Sequence, residues 1–216
     1  MTSGQFWWQW AVSFAVAVGT VGTVIVALFG KALRAKLFPS RLDLTLLSTE
    51  GEPSEVRQVS AGGLATNPVP ARYYHLLVSN SRRWSSIHGV QVFLTRVEEP
   101  GPQGRFQACW QGEVPMRWRH QEAYPVMRTI GAPAHADLCF VVKGSDVSLE
   151  PLFRPFTLRV EIEKKKRIRA FFQARGDEGD SEVLCVEIAW AGTWRDGAKE
   201  MAKSLAIEVV KATAPV

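Results

Sequence analysis

The chain has 216 residues, of which 46% are hydrophobic and 22% charged, and its formal net charge is +5 at pH 7. Four of the positive charges lie together at Lys31, Arg34, Lys36 and Arg41, which leaves about +1 for the rest of the chain and argues against bulk nucleic-acid binding. The three cysteines are an odd number without C-x-x-C spacing, which argues against a disulfide framework and predicts buried free thiols.

An uncharged apolar stretch begins the chain. The first 30 residues contain no charged side chain, and Phe6 to Phe29 is a stretch of 24 residues. A helix of that length reaches about 36 Å, enough to cross a hydrocarbon core of about 30 Å. We therefore predict a transmembrane anchor over residues 1–30 and a basic juxtamembrane linker over 31–41. The predicted membrane-interface anchors are Trp7, Trp8, Trp10, Lys31, Arg34 and Lys36.

The charges around this span predict its direction. Basic residues follow the span and none precede it, so the positive-inside rule predicts a single-pass protein of the cytoplasmic membrane. Its N-terminus is expected outside and its C-terminal domain in the cytoplasm. A cleaved signal peptide is the alternative, but such a peptide has a positive start and a shorter apolar core of about 7 to 15 residues.

One face of the predicted span carries small side chains at every fourth position. Such spacing lets two helices approach closely in lipid, where packing rather than hydrophobicity drives association. The pattern predicts a homo-oligomer formed through this helix, although small residues are common in all spanning helices. This small-residue face consists of Ala11, Ala15, Gly19, Thr23 and Ala27.

Residues 42–212 are predicted to form one β-sandwich domain. Short runs of apolar and β-branched residues alternate with polar ones between glycine and proline clusters, which is typical of strands. A short helix is expected over 195–203, and no long amphipathic helix separates the strands, so an antiparallel sandwich is favoured over parallel βαβ units. The predicted strands are 42–47, 73–79, 90–97, 114–118, 136–142, 156–162, 168–174, 183–190 and 205–210, with loops at 50–53, 61–70, 99–104, 131–133 and 176–180.

Two consecutive runs allow a comparison with a known family. The first, Tyr74 to Asn80, ends in V-x-N, and after a polar turn the second, Ile87 to Leu94, carries V-x-V-x-L. Together they resemble the central strand pair of bacterial immunoglobulin-like domains of the CARDB type. The resemblance implies an antiparallel immunoglobulin-like sandwich, and it implies no active site.

The sequence contains no recognisable catalytic or metal-binding motif. His75 and His88 fall on predicted strands and are expected to face each other across a hairpin, with no carboxylate at ligand spacing. The pairs His120 with Glu122 and His135 with Asp137 lie in proline-flanked, turn-like sequence and are interpreted as ordinary polar residues of the protein surface. We therefore predict no catalytic residue, no metal and no cofactor.

A cluster of cations near residue 165 is the strongest charge signal in the domain. Such a cluster attracts phosphate groups, so anionic lipid headgroups or a phosphate-bearing ligand are candidate contacts. The alternative is a solvated hairpin whose cations pair with neighbouring acidic residues. This basic run consists of Lys164, Lys165, Lys166, Arg167 and Arg169.

These features predict a non-enzymatic, membrane-anchored interaction or sensing module, whose partners are the lipid bilayer and an unidentified cytoplasmic protein or small ligand. The alternative is a membrane effector, for example in phage defence. In that case the sandwich would sense a cytoplasmic signal such as a nucleotide, and the transmembrane helices would cluster to perturb the membrane. An enzyme with a site outside known motifs stays open, without residues to assign to it.

Overall fold

A computed structural model describes residues 7, 14, 16, 19, 20, 41–57, 67–82, 85–120 and 127–211. The chain divides into two compact units, residues 1–39 and 40–216. Each unit is described by itself below.

In the first unit, all five described residues are helical, and the hydroxyl of Thr20 donates a hydrogen bond to the carbonyl of Val16 at 2.8 Å. Among the described residues of the chain, no helix is both long and apolar enough to cross a membrane. Most of the predicted span lies outside the described residues. Of the predicted anchors and the small-residue face, only Trp7 and Gly19 are described, and both are helical and exposed. The residues outside are Trp8, Trp10, Lys31, Arg34, Lys36, Ala11, Ala15, Thr23 and Ala27.

The second unit is mainly β and contains two antiparallel sheets, as the sequence predicts. The first sheet has the order β1-β3-β7-β8-β9, with β2 also paired to β3. The second has the order β13-β12-β10-β4-β5, with β11 on β10 and β6 on β4. The first sheet contains β1 (Leu42–Leu46), β2 (Glu52–Val56), β3 (Val69–Asn80), β7 (Ala134–Val142), β8 (Val147–Leu149) and β9 (Glu161–Ile162). The second contains β4 (Ile87–Pro100), β5 (Phe106–Pro115), β6 (Arg128–Ile130), β10 (Lys166–Gly176), β11 (Gly179–Asp180), β12 (Leu184–Trp190) and β13 (Leu205–Val210).

One hydrophobic core joins the two sheets. Leu76 and Val78 of the first sheet and Val92 and Leu94 of the second are all 0% exposed and belong to the same buried cluster. Successive side chains of a strand point to opposite faces, so this core takes one face of each sheet. The arrangement is consistent with a β-sandwich, in which the outer face of each sheet is available for function.

The short helix α1 (Ala198–Ser204) lies between β12 and β13, close to its predicted position. It buries Met201 and Ser204, while Glu200 lies in its first turn and Lys203 in its last, where acidic and basic side chains complement the helix dipole.

Several local predictions are wrong, among them the predicted loop at 176–180, which contains β11. The predicted loop at 50–53 overlaps β2, which begins at Glu52. The predicted strand 156–162 is a strand only at Glu161–Ile162, because the preceding residues are turn-like and Phe156 is fully exposed. The predicted strand 114–118 is divided, since β5 ends at Pro115.

The residues after β5 leave the second sheet for the first. We call Met116 to Arg119 the crossing segment. The amide of Met116 donates to Val92 of β4 at 2.8 Å, whereas the carbonyl of Arg117 accepts from the amide of Asp137 in β7 at 2.7 Å. Trp118 pairs with Ala136, so this end of the segment adds a short strand beside β7. The crossing segment thereby places Arg119 at the edge of the first sheet.

Candidate functional site

Polar side chains collect on the outer face of the first sheet. Tyr74 and Leu76 of β3 are fully buried in the core, so Tyr73 and His75 point to the opposite face. A register shift in the pairing of β3 with β7 then sets Asp137 directly opposite His75. This face therefore carries a histidine and a carboxylate in direct contact.

His75 and Asp137 form a buried pair. Nδ1 of His75 lies 2.9 Å from Oδ1 of Asp137, and the two side chains are only 5% and 10% exposed. An ionised carboxylate can only accept, so Nδ1 is the protonated donor of this hydrogen bond. The other ring nitrogen, Nε2, lies 3.9 Å from Oε2 of Glu52. The bond to Asp137 fixes the ring orientation and aims Nε2 at Glu52.

A salt bridge between Arg119 and Glu52 lies beside this pair. The two terminal nitrogens of Arg119 donate to the two carboxylate oxygens of Glu52 at 3.0 and 2.5 Å, which is the bidentate geometry that suits guanidinium and carboxylate. One of these nitrogens is also 3.3 Å from Nδ1 of His135. The amide of Arg119 donates to the carbonyl of His135 at 2.9 Å. Arg119 is thus held from two strands, β2 and β7.

His135 acts as an acceptor for Arg119. Burial, and after it the charges of Arg119 and His75, lower the pKa of His135 below its usual 6.5. A neutral imidazole keeps one nitrogen free to accept a hydrogen bond, whereas an imidazolium cannot. His135 is therefore suited to orient the guanidinium of Arg119.

Acidification is expected to destabilise the domain through His135. Because its folded-state pKa is lowered, the folded state binds fewer protons than the unfolded state. Its contribution to stability is complete above the ordinary pKa of 6.5 and is lost as the pH falls through the lowered folded-state pKa. Urea unfolding at pH 7.5 and 5.5 should show a larger loss of stability in the wild type than in His135→Gln. Equal losses in the two proteins would contradict this assignment.

The two pairs line one pocket of about 180 Å³. Typical sites for drug-sized ligands measure about 300–1,000 Å³, so this pocket suits a smaller molecule. His120, at one side, has a φ of 58°, a left-handed conformation that is uncommon outside glycine and is found more often at functional sites. This outer-face pocket is lined by Glu52, Pro53, Ser54, Tyr73, His75, Arg119, His120 and Asp137.

Tyr73 supplies an aromatic wall and a hydroxyl. Its ring stacks on Phe140 with centroids 5.3 Å apart. Burial, followed by the charges of Glu150 and Asp137, raises the pKa of Tyr73 above its usual value. The phenol therefore stays protonated near neutral pH and can donate a hydrogen bond.

The predicted arrangement of the histidines is wrong in two respects. His75 and His88 do not face each other, because β3 and β4 belong to different sheets; His88 instead contacts Glu178 at 2.7 Å. β7 begins at Ala134, so His135 lies in the strand rather than in a turn before it, in line with Asp137 of the predicted strand 136–142. From the sequence alone, Glu52 has no predicted role, and Arg119 is only one cation of the run Arg117-Trp118-Arg119, without a link to His75. Both residues lie far from His75 in sequence, and no shared motif joins the three.

The basic run forms the turn before β10 and the start of that strand, and three of its five cations have acidic partners. Lys166 contacts Glu163 at 3.0 Å, while Arg167 and Arg169 share Glu187 at 3.3 and 2.9 Å. This pairing favours the alternative of a hairpin that neutralises its own charge. Contact with lipid or phosphate at the basic run stays a prediction.

The cysteines and histidines offer little metal chemistry. All three cysteines are free thiols, with Cys139 and Cys185 buried as expected, but the expectation of burial is wrong for Cys109, which is exposed. In the part of the chain that the structure describes, no three His, Cys, Asp or Glu side chains are placed to hold a metal ion.

Comparison with known proteins does not assign the chain to a family. The chain matches no protein-family model and no curated protein. A fold alone does not specify an activity, so the function must be argued from the outer-face pocket.

Proposed function

We propose that this chain is a membrane-tethered, non-enzymatic sensing module whose immunoglobulin-like sandwich binds a small polar ligand in the outer-face pocket. The N-terminal segment would serve as the tether, with the sandwich on the cytoplasmic side and the small-residue face pairing copies of the chain. The bilayer and the ligand would be its partners.

One observation carries this proposal: the buried His75–Asp137 pair and the Arg119–Glu52 pair share the wall of a single pocket. Charged groups held by packed strands on a sheet face are costly to place, and converging polar groups in a concavity are the usual mark of a ligand site. Among the described residues, no Ser, Thr or Cys side chain hydrogen-bonds to His75, whose two ring nitrogens face Asp137 and Glu52 instead. The arrangement therefore suits binding better than catalysis.

The pocket volume bears on the alternative of an effector that senses a nucleotide. At about 180 Å³ the pocket is below the usual range for drug-sized ligands, so a dinucleotide could occupy it only in part. We therefore assign this pocket to a smaller metabolite. The effector hypothesis, with its clustering helices, would need another binding surface.

The test is a thermal unfolding series on the full chain, extracted from membranes into detergent, with amino acids, organic acids, amines and mononucleotides. A ligand present at 100 times its Kd should stabilise the domain by about 2.7 kcal/mol, which for this size raises Tm by roughly 5–10 °C. Ser54→Phe, which fills the pocket mouth, should abolish the shift. Ser145→Phe, at an exposed turn elsewhere, is the matched control and should leave it intact.

Two results would contradict the proposal. If no compound class raises Tm, or if the shift survives in Ser54→Phe, the outer-face pocket is not the sensing site. Recovery of the chain in the soluble fraction, rather than in alkali-washed membranes, would contradict the proposed membrane tether.

A further inference from the structure

Resting on the proposed function, we infer that the ligand is a small zwitterion of the α-amino-acid class, bound by opening the Arg119–Glu52 ion pair. Its carboxylate takes the place of Glu52 on the guanidinium of Arg119. Its ammonium group takes the place of Arg119 on the carboxylate of Glu52.

The charges around the pocket decide this ligand class. Arg119 and Glu52 satisfy each other, and Asp137 is satisfied by His75. A simple anion on Arg119 would leave Glu52 without its guanidinium, facing only Nε2 of His75 at 3.9 Å. A simple cation on Glu52 would likewise leave Arg119 unpaired. Leaving one member of a charged pair without a partner in a partly buried site is costly.

A zwitterion avoids that cost because it replaces both partners at once. The number of opposite-charge contacts stays the same, and no charge is left in the pocket without a counter-ion. Bidentate guanidinium geometry, already used by Glu52, fits an incoming carboxylate equally well.

The two pairs differ in exposure to solvent, and the ligand exchange requires the exposed one. The side chains of Arg119 and Glu52 are 30% and 38% exposed, so a solute can reach both. His75 and Asp137, at 5% and 10%, form the buried end of the pocket. An α-amino acid with a small side chain would therefore place its charged groups at the mouth and its side chain toward Tyr73 and His75.

The backbone and hydrogen-bond contacts of Glu52 and Arg119 also allow this ion pair to open. Glu52 is on β2, a strand of five residues that pairs only with β3 among the described strands, so it can move outward. Arg119 stays held without Glu52, because its amide and one guanidinium nitrogen bond to His135 and its carbonyl accepts from Arg128. His135 is thus a positioning residue that holds the guanidinium ready for the incoming carboxylate.

The experiment measures affinities of the full chain in detergent by calorimetry. The probes are glycine, L-alanine and L-serine, with acetate and methylammonium as singly charged analogues. At least one amino acid should bind at least tenfold more tightly than either analogue. Glu52→Gln and Arg119→Gln should each weaken that binding at least tenfold.

The exposed pair Arg154–Glu161, 2.7 Å apart, supplies matched controls, since Arg154→Gln and Glu161→Gln remove the same charges outside the pocket. Both should leave the amino-acid affinity unchanged. His135→Gln should weaken binding while the unfolding temperature of the free protein at pH 7.5 changes little.

Other outcomes separate the two proposals. If acetate binds as tightly as alanine, and Glu52→Gln strengthens that binding, the ligand is an anion and the zwitterion proposal is overturned. Tighter binding of methylammonium, weakened only by Glu52→Gln, overturns it in favour of a cation. In either case the proposed sensing function is retained. It is also retained if only another class of metabolite raises Tm. If nothing binds to the folded chain, both proposals fail.

Discussion

Replacing Trp118 by alanine is expected to lower the free energy of unfolding by about 3–5 kcal/mol, the usual cost of truncating a large core aromatic. Trp118 is 0% exposed, and its indole Nε1 donates to Oε1 of Gln91 at 3.2 Å. Gln91 in turn donates from Nε2 to the carbonyl of Met116 at 2.8 Å. The indole therefore joins the crossing segment to β4 as well as filling the core.

The measurement is urea unfolding of the full chain followed by the strand signal in circular dichroism. Phe156→Ala is the control, because Phe156 is fully exposed and its removal should change stability by less than about 0.5 kcal/mol. Trp118→Phe keeps most of the volume but loses the Nε1 donor, so its cost should lie between the two. A loss below about 1 kcal/mol for Trp118→Ala would show that the crossing segment is not packed as described.

Trp118→Ala is also expected to affect ligand binding in the outer-face pocket. Arg119 follows Trp118 directly, and its position relative to β7 depends on the pairing of Trp118 with Ala136. Ligand-induced stabilisation should therefore weaken in Trp118→Ala, even at temperatures where the variant is folded.

Asp137→Ala is expected to destabilise the domain by about 1–3 kcal/mol, because removing the acceptor leaves the Nδ1–H donor of His75 buried without a hydrogen-bond partner. His75 is 4% exposed, and its Nδ1 would lose the acceptor that holds the ring in place. Replacing both His75 and Asp137 by leucine should cost much less than Asp137→Ala alone, since no polar group would then be left unpaired.

A more exposed pair of the same chemistry provides the control. His88 and Glu178 are 2.7 Å apart, and their side chains are 59% and 28% exposed, compared with 5% and 10% for His75 and Asp137. Exposed ion pairs contribute about 0–1 kcal/mol, so Glu178→Ala should have a small effect on urea unfolding. If Asp137→Ala and Glu178→Ala lower the free energy of unfolding equally, burial does not make the His75–Asp137 pair more important for stability.

The strongest sequence predictions rest on alternation. Apolar residues repeat at positions 74, 76 and 78 and at positions 90, 92 and 94, and both segments lie within strands of the structure, β3 and β4. Strands with a weak pattern were missed: β2 contains Pro53 and a mostly exposed sequence, while β6 and β8 have only three residues each. Alternation indicates a strand only where one face is buried and the other is not.

The candidate site could be predicted only in fragments. The sequence places His75 on a predicted strand and the pair His135 with Asp137 in turn-like sequence, and it predicts no catalytic or metal-binding role for them. Glu52 has no local feature that singles it out, and Arg119 belongs only to a short run of cations around Trp118. Their significance depends on contacts across 67 residues of sequence, which no spacing rule reports.

The sequence by itself determined the uncharged N-terminal stretch, the mainly β character of the second unit and the face of each regular strand that enters the core, because these depend on composition and on the period of two along a strand. Only the tertiary structure decided which strands pair. It placed β3 and β4 in different sheets, shifted the register between Tyr74 and His75, and brought Arg119 across to the first sheet. Period-two patterns specify a face but not a partner strand or a bulge, so the pocket exists only once the chain has folded.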